Sequence, residues 1–211
     1  MRMPRRSPTS RKPSTIWKRS WPLSEPVPER LPSADGAGSV PGSICVLTAI
    51  GRQLRSRQLS LGVAESCSGG LLGSALTDLP GSSDFFQGGV VAYANPVKVA
   101  LLGVRPETLE EHGAVSAQCA VEMACGLRRL LEVDVALALT GVAGPGGGTP
   151  EKPVGLVFAA LAGPGGWAVR ELRLGGSRSE IRRAAVLSVL EWLRRELEPG
   201  QEVSPDALIP S

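Results

Sequence analysis

The sequence has few of the residues on which metal sites and histidine-dependent active sites are built. Its 211 residues include one histidine, His112, and four cysteines, at positions 45, 67, 119 and 125, that lack the C-x-x-C spacing of common zinc sites. A Ser-His-Asp triad would have to use His112 as its base. We therefore expect no metal, no cofactor and no such triad, and reduced thiols of the kind found in a cytoplasm.

Long apolar runs are also missing. No stretch reaches the roughly 18 residues that a membrane span needs, and no apolar segment follows the basic N-terminus as it would in a secretory signal. Hydrophobic residues make up 42% of the chain and charged residues 20%, which suffices for a buried core. These observations predict one cytoplasmic domain of ordinary size without a membrane partner.

Charge is spread unevenly along the chain. Residues 1–30 hold eight basic and two acidic residues, whereas the other 181 residues hold 15 basic and 18 acidic ones. Eight of the 18 prolines also lie before residue 42, where apolar periodicity is absent. We therefore predict a disordered basic tail over 1–42, a folded domain over 43–198 and a frayed end over 199–211. A basic arm can bind nucleic acid, but a solvated extension is commoner, so nucleic acid is not an expected partner.

Helical and strand patterns alternate through the body of the chain. Apolar spacing predicts helices over 44–59 and 71–79, a short helix from 95, a helix capped by Ser116, and a last helix over 178–197. Strands are predicted over 61–64, 89–93, 134–140, 154–161 and 167–174, the last two joined by a glycine-rich hairpin turn. This pattern predicts a three-layer α/β/α sandwich with a mixed sheet that includes an antiparallel hairpin near the C-terminus.

The segment from Ala64 to Gly70 places serines where a predicted buried strand ends. Ser66 follows the strand, and two glycines open the next helix, whose backbone N–H groups can stabilise negative charge. Alternatively, Ser66 or Ser68 caps the helix and the glycines permit a tight turn. From these residues alone the capping interpretation is favoured.

The segment from Tyr93 to Lys98 contains two rare residues. Tyr93 is the only tyrosine, and Lys98 is one of four lysines in a chain with nineteen arginines. A lysine kept among so many arginines suggests a need for an amine that can lose its proton and act as a general base. The alternative is a surface lysine beside a half-buried tyrosine, and before other evidence it is the better interpretation.

The segment from Thr140 to Pro150 is a glycine loop that follows a predicted strand. It has five glycines within eight residues, a backbone suited to close approach to a ligand and to cradling a phosphate. A long flexible turn explains the composition equally well.

Six short motifs occur in an order that resembles one known family. They are Glu65-Ser66-Cys67-Ser68-Gly69-Gly70, Pro80-Gly81-Ser82-Ser83, Tyr93-Ala94-Asn95 with Lys98, Gly113-Ala114-Val115-Ser116, Thr140-Gly141-Val142-Ala143-Gly144-Pro145-Gly146-Gly147 and Lys152-Pro153-Val154-Gly155. From about residue 44 to residue 197 the chain resembles the nicotinamide-nucleotide amidohydrolase family, the C-terminal domain of the competence/damage-inducible protein CinA. It departs at Ser68, Ala94, Pro96 and Val142, where the family usually has Thr, Ser, Glu and Ile. The pyrophosphatase-like domain of longer members is not expected, because residues 1–43 are too few to hold it.

The resemblance implies hydrolysis of the carboxamide of nicotinamide mononucleotide to nicotinate mononucleotide and ammonia, in pyridine-nucleotide recycling. It implies a homo-oligomer that needs neither metal nor cofactor. The match to the family implies that Ser66 is the nucleophile and that Lys98 and Tyr93 supply the general base, one of them deprotonating Ser66. The same match implies substrate contacts, with Lys152 and Arg178 as candidate phosphate ligands. The substrate-binding set is Ser68, Gly69, Gly70, Asn95, Thr140, Gly141, Gly144, Gly146, Gly147, Lys152 and Arg178.

Two other classes of function compete with hydrolysis. A nucleotide-binding or regulatory domain without catalysis would keep the glycine loop and lose the Ser-Lys pair, yet all three are present. A competence-related or DNA-damage-related adaptor for nucleic acid would carry its basic charge on the folded body, yet that body is net acidic.

Overall fold

The computed structural model describes residues 43–198, which form one five-stranded mixed sheet between two layers of helices. The strands are β1 (Leu61–Glu65), β2 (Phe86–Val91), β3 (Val135–Gly141), β4 (Leu156–Gly163) and β5 (Gly166–Arg173). Their order is β2-β1-β3-β4-β5. Strand β1 pairs in parallel with β2 and β3, whereas β4 is antiparallel to β3 and β5. The segments predicted to be disordered or frayed, 1–42 and 199–211, lie outside the described residues.

Helices cover both faces of the sheet. They are α1 (Ser43–Ser56), α2 (Leu71–Thr77), α3 (Asn95–Leu102), α4 (Pro106–Glu111), α5 (Ala117–Leu131) and α6 (Arg178–Glu196), and a 3₁₀ turn spans Ser82–Asp84. Helices α1, α2 and α6 share one hydrophobic core with the sheet, and α3 and α5 share the other. The predicted α/β/α sandwich with a C-terminal antiparallel hairpin is confirmed. Within residues 43–198, no helix is long and apolar enough to cross a membrane.

The two faces of the sheet differ in side-chain size because neighbouring strand residues point to opposite sides. The face under α1, α2 and α6 carries larger residues, among them Val63, Leu137, Leu139, Val157 and Leu161. The face under α5 carries alanines, namely Ala64, Ala136, Ala138, Ala160 and Ala162. On its other side α5 packs closely against α3, where a Cβ atom added to Gly126 would lie 1.6 Å from the carbonyl oxygen of Leu102. Small residues therefore set the position of α3, the helix that carries Lys98.

The observed elements differ from the predicted ones mainly at their ends. Strand β2 begins at Phe86 and ends at Val91, so Tyr93 lies beyond the strand rather than within it. Strand β2 contains two glycines, Gly88 and Gly89, which interrupt the alternation of apolar and polar residues by which a strand is predicted. Strand β4 begins at Leu156 because Gly155, at φ +93°, still belongs to the preceding loop.

Helix α4 was not predicted. A carboxylate from α5 stabilises its start: Glu122 accepts hydrogen bonds from the backbone N–H of Arg105 and from the hydroxyl of Thr108. This contact joins residues 14 to 17 positions apart, so local sequence patterns do not reveal it.

Candidate active site at the carboxyl ends of β1 to β3

The predicted site segments follow three neighbouring parallel strands and meet at one edge of the sheet. Ser66 follows β1, Ala92 follows β2, and the glycine loop follows β3. The backbone N–H of Ser66 donates to the carbonyl of Leu139 at 2.9 Å, and that of Ala92 donates to the carbonyl of Glu65 at 2.8 Å. Loops at the carboxyl edge of an α/β sheet are a usual location for ligand sites. This edge is the candidate active site.

Ser66 lies in a tight turn between β1 and α2. The turn is closed by a hydrogen bond from the N–H of Gly69 to the carbonyl of Ser66, at 3.1 Å. Gly69 and Gly70 have φ angles of +60° and +94°, in the left-handed region that favours glycine. Ser66 is 8% exposed and is therefore buried in the turn.

The buried carboxylate of Glu65 occupies the start of α2. It accepts hydrogen bonds from the N–H groups of Gly70 and Leu72, both at 3.0 Å, and of Gly73 at 2.8 Å. The expectation that these N–H groups are open to a substrate or oxyanion is therefore wrong, because they already stabilise the charge of Glu65. The alternative of a serine cap is also wrong, since the N-cap residue is Gly70 and the N–H groups of the first turn are bound by Glu65 instead of a serine hydroxyl. A carboxylate within an otherwise apolar strand was the available signal in the sequence.

Lys98 is buried, with 1% of its surface exposed. Its Nζ donates to the carbonyl of Ala92 at 2.8 Å and to that of Tyr93 at 3.0 Å. Burial lowers the pKa of the ammonium, an effect that nearby Cys119 and Cys67 partly oppose. Among residues 43–198, Lys98 forms no ion pair with a carboxylate. The interpretation of Lys98 as a surface residue is wrong.

Tyr93 and Arg178 form a second group with the glycine loop. The phenol oxygen of Tyr93 accepts a hydrogen bond from Arg178 at 3.0 Å, and Arg178 also donates to the carbonyl of Gly144 at 2.8 Å. Tyr93 is 60% exposed rather than half-buried, and Lys98 contacts its carbonyl, not its phenol. The structure thus brings Tyr93, Arg178 and Gly144 together.

Arg182 contacts the turn between β1 and α2 and was not among the predicted site residues. Its Nε and one terminal nitrogen donate to the carbonyl of Ser68, at 3.2 and 2.7 Å. Arg178 and Arg182 are four positions apart on α6, a spacing that places them on one face of a helix. That spacing was the signal that could have paired them.

Ser68 combines full burial with an unused hydroxyl. Its exposure is 0%, and within the described residues its Oγ has no hydrogen-bond partner. Buried polar atoms almost always have a partner, so this hydroxyl is an unsatisfied group in the turn that follows β1.

The glycines after β3 have two different roles. Gly141 permits close pairing of β3 and β4, because a Cβ there would lie 2.6 Å from the carbonyl oxygen of Leu156. Gly144 needs its left-handed φ of +75°, and a Cβ there would lie 2.6 Å from Val154. Gly146 and Gly147 are exposed, with nothing within 4 Å of an added Cβ. These two are the glycines at which a ligand can approach the backbone.

The remaining predicted contacts are dispersed. The hydroxyl of buried Thr140 donates to the carbonyl of Ala114 at 2.7 Å, so it holds the loop before α5. Lys152 donates to the carbonyl of His112 in the same loop. Asn95 is the exposed first residue of α3. Residues 43–198 contain no group of three or more His, Cys, Asp or Glu side chains that could hold a metal ion.

Comparison with known proteins identifies relatives over the whole described body. The model of the CinA C-terminal domain family matches residues 45–197. A CinA-like protein of Thermosynechococcus vestitus is 51% identical over 151 residues, 70% of this chain and 36% of that protein. The match spans little more than a third of the length of the curated relatives.

Solved structures agree with these matches. The competence/damage inducible protein CihA from Agrobacterium tumefaciens is 42% identical, with a TM-score of 0.68 over 72% of this chain and 96% of that one. A CinA superfamily protein from Klebsiella pneumoniae is 36% identical, with a TM-score of 0.70 over 72% of this chain and 95% of that one.

Proposed function

Because the chain belongs to the CinA C-terminal domain family, we propose that it is an amidohydrolase that converts nicotinamide mononucleotide to nicotinate mononucleotide and ammonia. The observation that carries the proposal is Lys98, a lysine buried at the carboxyl edge of the sheet and held by two neutral carbonyl oxygens. Burial costs the ammonium its hydration and so lowers the pKa of Lys98, which favours the free amine that a general base requires. The amine follows β2, and Ser66 follows the adjacent strand β1.

In the proposed reaction, Ser66 attacks the carbonyl carbon of the carboxamide while neutral Lys98 accepts its hydroxyl proton. The carbonyl oxygen becomes the oxyanion of a tetrahedral intermediate. When the C–N bond breaks, the proton passes from Lys98 to the nitrogen, which leaves as ammonia, and an ester of Ser66 remains. Water, activated in turn by Lys98, cleaves the ester, releases nicotinate mononucleotide and restores Ser66.

The charges around the site suit a substrate with a cationic ring and an anionic phosphate. A pyridinium ring beside Lys98 would disfavour the ammonium further and so favour the free base. Arg178, together with the exposed backbone at Gly146 and Gly147, offers donors for the phosphate.

The test is ammonia release from nicotinamide mononucleotide by the purified full chain and by folded variants. Ser66→Ala and Lys98→Met should each lower kcat by at least about 1,000-fold, because each removes a chemical group of the reaction. Ser74→Ala, which removes an exposed hydroxyl from α2, is the matched control and should keep wild-type activity. Addition of a metal chelator to the assay should leave the rate of the wild-type protein unchanged.

Two results would contradict the proposal. One is full turnover by a folded Ser66→Ala protein. The other is tight binding of nicotinamide mononucleotide by the wild-type protein without ammonia release, which would favour a regulatory nucleotide-binding domain.

A further inference from the structure

We infer that Arg182 is a positioning residue that polarises the backbone amide next to the nucleophile through a chain of two peptide groups. The inference rests on the proposed function for its kinetic consequence. The geometry of the chain itself is independent of that function.

The first link joins α6 to the turn after β1. The guanidinium of Arg182 donates two hydrogen bonds, at 3.2 and 2.7 Å, to the carbonyl of Ser68. A doubly held, charge-assisted contact of this kind is stronger than one between neutral groups. Burial raises the pKa of the Cys67 thiol to about 11, and nearby Arg182 is the weakest of the groups that oppose this rise.

The second link runs through the turn itself. The carbonyl of Ser68 and the N–H of Gly69 belong to one trans peptide group, so they point in opposite directions. That N–H donates to the carbonyl of Ser66 at 3.1 Å. The carbonyl of Ser66 in turn shares a peptide group with the N–H of Cys67. Hydrogen bonds in such a series strengthen one another, because each polarises the next.

The chain ends at an amide of chemical interest. In α/β-hydrolases, where the nucleophilic serine also lies on a turn from a strand to a helix, the N–H of the following residue forms part of the oxyanion hole. Here that residue is Cys67. The N–H groups of Gly70, Leu72 and Gly73 at the start of α2 already bind Glu65, so they are not free to bind an oxyanion. The amide of Cys67 is therefore the donor that we assign to the oxyanion. Arg182 would make this amide a better donor without touching the substrate.

Gly69 completes the arrangement. It has a φ of +60°, and a Cβ there would lie 3.4 Å from a guanidinium nitrogen of Arg182. The turn therefore needs glycine for its backbone conformation, and an added Cβ would be at ordinary contact distance from the arginine.

The experiment compares full-length wild type with Arg182→Gln, Arg182→Lys and the control Arg183→Gln. Arg183 is the next residue of α6 and is also partly buried, but it makes no hydrogen bond to the turn. Direct loss of an oxyanion donor costs about 100- to 1,000-fold in kcat, so loss of its polariser should cost about 10-fold in kcat with KM nearly unchanged. Arg182→Lys keeps the charge and should fall between wild type and Arg182→Gln. It also provides a second variant if Arg182→Gln fails to fold.

A second readout does not depend on turnover. In ¹⁵N-labelled protein, the amide proton signals of Gly69 and Cys67 should move upfield in Arg182→Gln and stay in place in Arg183→Gln, because weaker polarisation shields the proton. Unchanged signals in a folded Arg182→Gln protein would overturn the inference, as would a loss confined to KM. If instead Ser66→Ala retained turnover, the proposed function would fail, while the amide signals would still decide whether the chain exists.

Discussion

At the residue scale, the decisive feature of the site is an amine placed where a charge is costly. Lys98 is fully enclosed, yet two carbonyl oxygens are its only hydrogen-bond acceptors among the described residues. A carboxylate beside Lys98 would stabilise the charged ammonium. Carbonyl oxygens hold the nitrogen in place without adding such a negative charge. In the proposed reaction, this arrangement positions the amine of Lys98 and leaves it able to lose its proton.

This arrangement predicts the pH dependence of the reaction. The pKa of a free lysine is about 10.4, and burial lowers the pKa of Lys98. The fraction of Lys98 in the neutral, basic form therefore rises as pH increases through that lowered pKa. The rate of ammonia release should rise with the same titration and level off at a lower pH than the titration of a free lysine would give. A pH–rate profile of kcat/KM for the wild-type protein measures it.

Lys98→Arg is the matched variant for that profile. Guanidinium keeps the charge but holds its proton throughout this pH range, so folded Lys98→Arg should be nearly as inactive as Lys98→Met. Some rate above that in water should survive, because the binding groups remain. Near-normal turnover by Lys98→Arg would show that Lys98 acts through its charge, and Tyr93 would be the next candidate for the base.

The neighbouring thiol should be chemically silent. Burial raises the pKa of Cys67 to about 11, so at pH 7 only about one molecule in ten thousand carries the thiolate there. Cys67→Ala should therefore keep turnover within about threefold of wild type, whereas Ser66→Ala abolishes it. Parallel kinetics on the two variants, with melting curves for each, make the comparison. Inactive Cys67→Ala beside active Ser66→Ala would mean that the nucleophile is the thiol.

At the scale of elements, the sequence predicted which segments are helices and strands better than it predicted what occupies their ends. The periodicity of α5 and the capping role of Ser116 were visible, and the hydroxyl of Ser116 does accept the N–H of Cys119. The contacts of Glu65 with α2 and of Glu122 with α4 were not visible. Both depend on where a carboxylate comes to lie in three dimensions, and one of them removes an anion site that local patterns had suggested.

The placement of α3 gives a test at this scale. Because a Cβ at Gly126 would overlap the carbonyl oxygen of Leu102 at 1.6 Å, Gly126→Ala should force α3 away from α5 and lower the free energy of unfolding by about 3 kcal/mol or more. Since α3 carries Lys98, activity should fall as well. Denaturant unfolding and ammonia release measure the two effects.

Gly51→Ala in α1 is the control for that variant. An added Cβ there meets the end of the Leu79 side chain at 2.8 Å and the ring of Phe85 at 3.2 Å, and side chains can move where a backbone carbonyl cannot. The gain in helix propensity offsets much of the strain, so stability should change by less than about 1 kcal/mol. Equal losses in both variants would show that the contact with Leu102 is not what fixes α3.

At the scale of the whole molecule, the chain order of the motifs predicted more of the site than their composition did. Three segments separated by many residues meet because β1, β2 and β3 are parallel neighbours whose carboxyl ends share one edge. Strand order cannot be read from periodicity. For the same reason the role of Arg182 was hidden, since α6 reaches this edge only after the chain has crossed the sheet. Arg178 was predicted by resemblance, and its partners Tyr93 and Gly144 became known only from the fold.

The distribution of charge gives the last prediction. Residues 1–40 contain eight basic and three acidic residues, whereas all the predicted site residues lie between 66 and 178. Deletion of 1–40 should therefore leave kcat for nicotinamide mononucleotide unchanged. At low ionic strength, kcat/KM should fall modestly, because a basic tail raises the local concentration of an anionic substrate, and the difference should vanish near 0.15 M salt, where the Debye length is about 8 Å. Ammonia release by both chains at two salt concentrations checks this. A truncated protein with an unchanged melting temperature but little activity at either salt concentration would show that the tail takes part in the site.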